Sequence, residues 1–418
     1  MKNLRFTLVT FLILLLFTKC SKDEVFTAGF HIKVENVSTA YDYFAAGAQT
    51  IPDGELNPGP AFPGHSFTVK FHAGRSHKLS FATMYGASND LFYAPSDGGI
   101  ALFNGDVPLT GDITGMISLW DAGTEVNHAP GSGEDGADES EVIESVRNTD
   151  NIMDGFTYNN VETNIEVSLA YDGTSEFTLT VKDLDGSSTP LSPVAWVVHN
   201  DGQKPIFTEG ELDYGNGLED LAEMGNAAPL SSYLEMNSGY VSPVAPLVWV
   251  LHKGNEKPIF TEGELDYGKG LEKLSELGDP SDVYSSLVNE GYEAGVVNIP
   301  DGASGPGPLM PGESYTFTVN ARIDQYLSFA FMLGKSNDLF FSPGDMGIRL
   351  FSDKNPLSGD ITDKIMLWDA GTEVNEYPGA GIHQGPGDNQ ESENVMQVND
   401  SFTWPQVSQV IKVTITSN

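Results

Sequence analysis

One stretch of the chain occurs twice, and this repeat limits what the protein can fold into. Residues 79–127 align without a gap with residues 327–375 at a constant offset of 248, and 33 of the 49 positions are identical. The identical positions include the polar residues of SNDLF, GDIT and WDAGTEVN. A hydrophobic core needs only apolar residues at the right period, so identical Asp, Asn and Glu residues indicate an additional constraint. We therefore predict two related units in tandem, each with carboxylate-rich loops.

A second repeat lies between the two units. Residues 195–221 return as residues 248–274 at an offset of 53, and each copy begins with a strand-like WVVH or WVLH segment. Helical patterns follow each strand, and we expect short helices over 217–224, 231–236, 270–277 and 281–289, the last of them capped by Ser281.

Short apolar or alternating runs joined by turn-rich segments favour a mainly β protein built as a sandwich. Gly (45 residues) and Pro (24 residues) supply the turns that such a fold needs. The patterns predict strands over 30–37, 66–71, 78–84, 100–103, 117–120, 164–170 and 176–182.

The uneven repeats lead us to expect a permuted first domain. The first unit lacks the tryptophan–histidine segment ahead of residue 53, whereas two copies precede the second unit. We expect a first domain over residues 30–236, with a core at 30–171 completed by the segment at 195–236. Residues 237–418 would form the second domain. The alternative is a loose duplication packed between the two units.

The amino terminus has the pattern of a bacterial lipoprotein signal. Lys2 and Arg5 precede an apolar run over 8–17, which is too short to span a membrane, and the single cysteine of the chain, Cys20, follows it. We expect residues 1–19 to be a signal peptide, Cys20 to be lipidated and residues 20–29 to be a tether. Residues 21–24 (SKDE) resemble a short charged signal for the outer face of the outer membrane. The alternatives are an uncleaved anchor or a plain secretory signal.

The formal net charge of −38 argues against nucleic acid and anionic lipid as electrostatic partners. It is compatible with divalent cations and also with simple solubility in a salty medium.

The order of the motifs WVVH, PIFT, SNDLF and LWDAGTEVN resembles the spondin domain of animal F-spondins and mindins, which also occurs in many bacterial secreted proteins. The resemblance covers nearly all of the chain after the signal. It implies tandem C2-like antiparallel β-sandwiches with short helical insertions. It further implies a calcium site in each domain and a role in adhesion or matrix binding.

By the same resemblance, the calcium ligands are the aspartate of SND and the two carboxylates of WDAGTE. These are Asp90, Asp121 and Glu125 in the first unit and Asp338, Asp369 and Glu373 in the second. The animal domains have Asp where this chain has Glu125 and Glu373.

The residue chemistry agrees with this implication. Calcium takes six to eight oxygen ligands in a flexible shell. Asp121 and Glu125 are separated only by Ala-Gly-Thr, in which Gly123 allows a tight turn, and three carboxylates would repel one another without a cation. The alternative is a turn-capping role for Asp90 and solvation for Glu125.

No motif of a common catalytic site is present in the sequence, and His199 and His252, each at the end of a predicted strand, are interpreted as structural. We therefore expect a non-catalytic, calcium-binding lipoprotein of the outer membrane, exposed on the cell surface and binding an extracellular protein or glycan. Two alternatives stay open: a calcium-dependent polysaccharide hydrolase, and a purely structural envelope protein.

Overall fold

The computed structural model describes residues 26–132, 142–153, 155–383 and 389–418. The described chain is mainly β, with antiparallel sheets and helices of at most nine residues, which confirms the predicted fold class. None of the helices in these four ranges combines the length and the apolar character that a membrane span requires. The expected signal peptide and Cys20 lie outside the described residues.

The first sandwich consists of two antiparallel sheets whose inner faces enclose an aromatic core. Alternate residues of its strands point inward, as in Glu176–Asp183, where Phe177, Leu179 and Val181 are buried. The smaller sheet has the order Ser66–His72, Glu176–Asp183, Ile165–Tyr171, Gly111–Asp112. The larger sheet has the order Arg147–Asn148, Ile117–Asp121, Leu91–Pro95, His77–Met84, Val194–Asn200, Ala45–Gln49, and Ile100–Ala101 also pairs with His77–Met84. Phe103–Asn104 and Val107–Pro108 form a separate short hairpin.

Two short helices, Leu218–Met224 and Ala228–Met236, cover the outer face of the larger sheet. Their apolar residues, such as Leu221 and Leu230, form a second core with Trp120 of that sheet. Because both faces of this sheet are covered, its central strands are apolar on both sides, as the burial of all five residues of Leu91–Pro95 shows. The remaining helical elements of this unit are Thr114–Met116, Thr149–Asn151 and Val161–Asn164.

The second sandwich repeats this plan. Its smaller sheet has the order Ser314–Arg322, Thr27–Asn36, Ile411–Ser417, Gly359–Asp360. Its larger sheet has the order Glu293–Val297, Leu247–Lys253, Gln325–Met332, Leu339–Pro343, Ile365–Asp369, Met396–Gln397, and Ile348–Arg349 also pairs with Gln325–Met332. Leu271–Leu277 and Ser281–Asn289 cover its outer face. Phe351–Ser352 pairs with Asn355–Pro356 in a short hairpin. The short helical turns of this sandwich include Thr362–Lys364 and Val407–Val410.

The first strand of the chain belongs to a different domain from the one that we expected. Residues 30–36 were expected to open the first domain and residues 20–29 to form a tether, but the strand Thr27–Asn36 lies inside the second sandwich. It pairs antiparallel with Ser314–Arg322 on one side and with Ile411–Ser417 on the other. The first sandwich is therefore an insertion between this strand and the rest of the second sandwich.

The reason for this difference is that the first sandwich already contains a strand in the corresponding place. Glu176–Asp183 lies between Ser66–His72 and Ile165–Tyr171, the counterparts of the two strands that flank Thr27–Asn36. An alternating strand shows which of its faces is buried but not which sheet it joins, so the periodicity could not decide between the two places.

The first tryptophan–histidine strand, Val194–Asn200, lies between His77–Met84 and Ala45–Gln49. The segment therefore packs on the first sandwich rather than between the two units. The second copy, Leu247–Lys253, occupies the same place in the second sandwich, between Gln325–Met332 and Glu293–Val297.

Candidate metal site

The repeated polar motifs meet at one end of the larger sheet in each sandwich. Asp90 lies in the turn directly before the strand Leu91–Pro95, and Asp121 is the last residue of the strand Ile117–Asp121. These two strands are antiparallel neighbours in which Asp121 is opposite Leu91. The fold therefore brings the SND turn against the start of the AGTE loop.

The second sandwich reproduces this arrangement. Asp338 precedes the strand Leu339–Pro343, and Asp369 at the end of its neighbour is opposite Leu339. The two sites are built alike from residues that are 248 positions apart.

Asp90 is fully buried, and only one of its carboxylate oxygens accepts hydrogen bonds from the described residues. The main-chain amides of Thr124 and Glu125 donate to Oδ2 at 2.9 and 3.1 Å. Oδ1 has no hydrogen-bond partner among the described residues. Burial, together with the charge of Asp121, raises the pKa of the Asp90 carboxyl to about 7. Such a carboxylate needs either a proton or a cation.

Asp338 has the same surroundings. The main-chain amides of Thr372 and Glu373 donate to its Oδ2 at 2.7 and 3.1 Å, and its Oδ1 has no partner in the described part of the chain. Burial and the charge of Asp369 raise its pKa to about 7. A buried oxygen without a partner is rare in proteins, and here the same oxygen is left open twice.

Gly123 allows the AGTE loop to turn back tightly against residues 142–146. It has a φ of +73°, and a Cβ atom at this position would lie 2.6 Å from the carbonyl oxygen of Glu144. Its amide donates to Asp121 Oδ1 at 2.6 Å. A residue with a side chain is excluded by both the conformation and the close approach.

The third expected ligand is placed differently. The main chain of Glu125 contacts Asp90, and its carboxylate accepts a hydrogen bond from Asn89 Nδ2 at 3.2 Å. Within the described ranges, no group of three or more Asp, Glu, His or Cys side chains converges closely enough to hold a metal by side chains alone. The structure thus pairs Asp90 with Asp121 and Asp338 with Asp369, and it does not gather either full trio of carboxylates.

The buried aspartates nevertheless fit a hard divalent cation. Calcium accepts main-chain carbonyls and water alongside carboxylates, so two aspartates do not have to form its shell alone. The open Oδ1 atoms of Asp90 and Asp338 are the kind of oxygen that calcium prefers.

Arg147 is a residue of this site that sequence reasoning missed. Its Nε and Nη2 each donate to Asp121 Oδ2 at 3.0 Å, and its Nη1 pairs with Glu144. It lies outside the ungapped repeat, so the comparison of motifs did not bring it to attention.

Two serine–histidine pairs are buried within the sandwiches. Ser80 Oγ lies 2.9 Å from His199 Nε2, and Ser328 Oγ lies 2.9 Å from His252 Nε2, an arrangement similar to a nucleophile and its base. All four residues are buried, and a Cβ added to Gly99 would lie 2.7 Å from both His199 Nε2 and Ser80 Oγ. Gly99 therefore packs directly against the first pair.

Comparison of the chain with protein-family models and with curated proteins found no match.

Proposed function

We propose that this protein is a calcium-binding, non-catalytic lipoprotein that acts at the cell surface in adhesion or in binding an extracellular protein or glycan. The observation that carries the proposal is the fully buried aspartate of each SND turn, whose Oδ1 is open in both sandwiches. A calcium ion would neutralise Asp90 with Asp121, or Asp338 with Asp369. It would thereby hold the SND turn against the AGTE loop.

The free-energy cost of burying these aspartates favours calcium binding over a purely structural role for them. Paired buried carboxylates without a counter-ion destabilise a fold, and the pair of Asp338 and Asp369 has no cationic partner among the contacts of the described residues. Hydrogen bonds from main-chain amides already fix each aspartate in place, so the cation would find a preorganised ligand.

The first experiment measures the melting temperature of the full chain in chelator and in calcium. Calcium at about 100 times its dissociation constant stabilises the folded state by about 2.7 kcal/mol through mass action. Asp338→Asn should remove much of the calcium-dependent rise in melting temperature. The matched control is Asp363→Asn, which removes the same charge from an exposed position of the same sandwich and should leave the rise intact. An equal rise in both variants would show that Asp338 binds no calcium.

The second experiment tests what the calcium-loaded surface binds. The chain is applied to arrays of glycans and matrix proteins, with calcium and with chelator. Calcium-dependent capture supports the binding function. Release of shortened glycans would instead support a hydrolase. If neither capture nor product is detected on either array, the result would favour a structural envelope role.

A further inference from the structure

The two sites differ in one residue that sits directly opposite the loop aspartate. In the first sandwich the strand Arg147–Asn148 pairs with Ile117–Asp121, so that Arg147 is opposite Asp121. In the second sandwich Met396–Gln397 pairs with Ile365–Asp369, so that Met396 is opposite Asp369. Arg147 and Met396 therefore occupy the same place.

Flanking main-chain hydrogen bonds support this equivalence. The amide of Glu144 donates to the carbonyl of Gly123 at 2.8 Å, and the amide of Glu393 donates to the carbonyl of Gly371 at 2.8 Å. One residue before the compared positions, Val146 and Val395 also make matching hydrogen bonds.

Arg147 gives the first site a cation of its own. Three N–H groups converge on Asp121 Oδ2, two from the guanidinium and one from Asn127 at 2.7 Å. The side chain of Asp121 is completely buried beneath these groups. Arginine carries its charge at every physiological pH, so this counter-ion is permanent.

The second site has no such cation among its described contacts. Asp369 accepts from the Gly371 amide at 2.7 Å and from Asn375 Nδ2 at 2.6 Å, and Asp369 is partly exposed. The carboxylates of Asp400 and Glu393 act on it with negative charge, as does the paired Asp338. The apolar side chain of Met396 neutralises nothing.

We propose that the two sites are not equivalent: the second sandwich binds the calcium ion, and in the first sandwich Arg147 stands in for it. This inference rests on the proposed calcium binding and adds which of the duplicated sites is loaded. A divalent cation approaching Asp121 is repelled by the guanidinium and must compete with its hydrogen bonds. At Asp369 the described residues present negative charges and dipoles to it. We expect the affinity of the first site to be lower by at least about tenfold.

Calorimetric titration of the full chain with calcium tests the assignment through reciprocal variants. The wild type should bind one calcium ion with high affinity. Arg147→Met should bind two, and Met396→Arg should bind none with high affinity. The control is Arg75→Met, which removes a partly exposed arginine paired with Asp106 at 2.9 Å in the first sandwich and should still bind one.

The melting temperature provides a second readout. Arg147→Met should melt lower than the wild type in chelator, because Asp121 loses its counter-ion, and calcium should restore it. If Arg147→Met does not fold, Met396→Arg decides alone, since it adds a counter-ion to a site that lacks one.

The outcomes separate this inference from the proposed function. Two sites of equal affinity in the wild type, or one site that survives in Met396→Arg, would overturn the inference and leave calcium binding standing. Absence of calcium binding in the wild type and in both variants would overturn both.

Discussion

Replacing Asp183 with asparagine is expected to stabilise the first sandwich at neutral pH. Asp183 is fully buried at the end of the strand Glu176–Asp183, and neither of its carboxylate oxygens has a hydrogen-bond partner among the described residues. Ser187 is close and lowers the pKa of Asp183, but its hydroxyl donates to the carbonyl of Thr189 at 2.9 Å. Burial outweighs this effect and raises the pKa of Asp183 to about 6.

The second sandwich already contains the proposed residue. Asp183 pairs with Ile165, and the residue that pairs with the corresponding Ile411 is Asn36. Asn36 Nδ2 donates to the carbonyls of Ser242 and Leu309 at 3.1 and 3.0 Å, and its Oδ1 accepts from the hydroxyl of Ser38 at 2.6 Å. An amide in this place is thus fully satisfied, whereas an ionised carboxylate cannot donate at all.

The size of the expected gain in stability follows from the pKa of Asp183. The unfolded value is 3.8 and the folded value is about 6, so the folded state binds the proton more tightly. The stability that Asp183 contributes is complete below pH 3.8 and is lost as the pH rises through about 6. At pH 7.5 the ionised side chain costs up to about 3 kcal/mol, within the range of about 1 to 3 kcal/mol for an unsatisfied buried polar group.

Differential scanning calorimetry at pH 7.5 and at pH 4 measures this effect. Asp183→Asn should raise the melting temperature by about 3 to 8 °C at pH 7.5 and by much less at pH 4, where the wild-type carboxyl is largely protonated. Asn36→Asp in the second sandwich is the reciprocal variant and should lower stability at pH 7.5. A gain of equal size at both pH values, or no gain at all, would refute the assignment of the cost to the ionised carboxylate.

Two further predictions concern the amino-terminal part of the chain. Deleting residues 1–36 removes the buried side chains of Phe30, Ile32 and Val34, which together contribute about 5 to 9 kcal/mol to the free energy of unfolding. Limited proteolysis should therefore digest the second sandwich and spare the first. Survival of both sandwiches would contradict the observed pairing. A fatty-acid analogue should label the wild type in cells but not Cys20→Ala, and wild-type labelling of that variant would rule out lipidation at this residue.

Features encoded by local patterns could be predicted from the sequence. Strands such as Ser66–His72 and helices such as Leu218–Met224 follow from alternation and from flanking glycines, and the structure places them as expected. The SND turn and the AGTE loop were singled out because exact polar identity is not needed for a core. Their residues Asp90 and Asp121 do lie together.

Features that depend on which segments meet could not be predicted. The partners of Thr27–Asn36 lie about 280 to 390 positions along the chain, and no local pattern identifies them. For the same reason Arg147 was missed: it reaches Asp121 only through a strand pairing 26 positions along the chain, and it lies beyond the end of the repeat at residue 127. Matching ESV at residues 144–146 with ENV at residues 393–395 would have set Arg147 against Met396.

The placement of the first strand also decides how the protein responds to mechanical load. Thr27–Asn36 is held between two antiparallel neighbours, so a pull on the chain ahead of Thr27 acts along the strand and shears both ladders of hydrogen bonds at once. A shear load is shared by all of these bonds, whereas peeling would break them one after another. If Cys20 is lipidated and the second sandwich holds the ligand, tension between ligand and membrane passes through this strand and bypasses the first sandwich. The inserted first sandwich would then carry none of the load. The rate at which the second sandwich unfolds would set how long the attachment lasts.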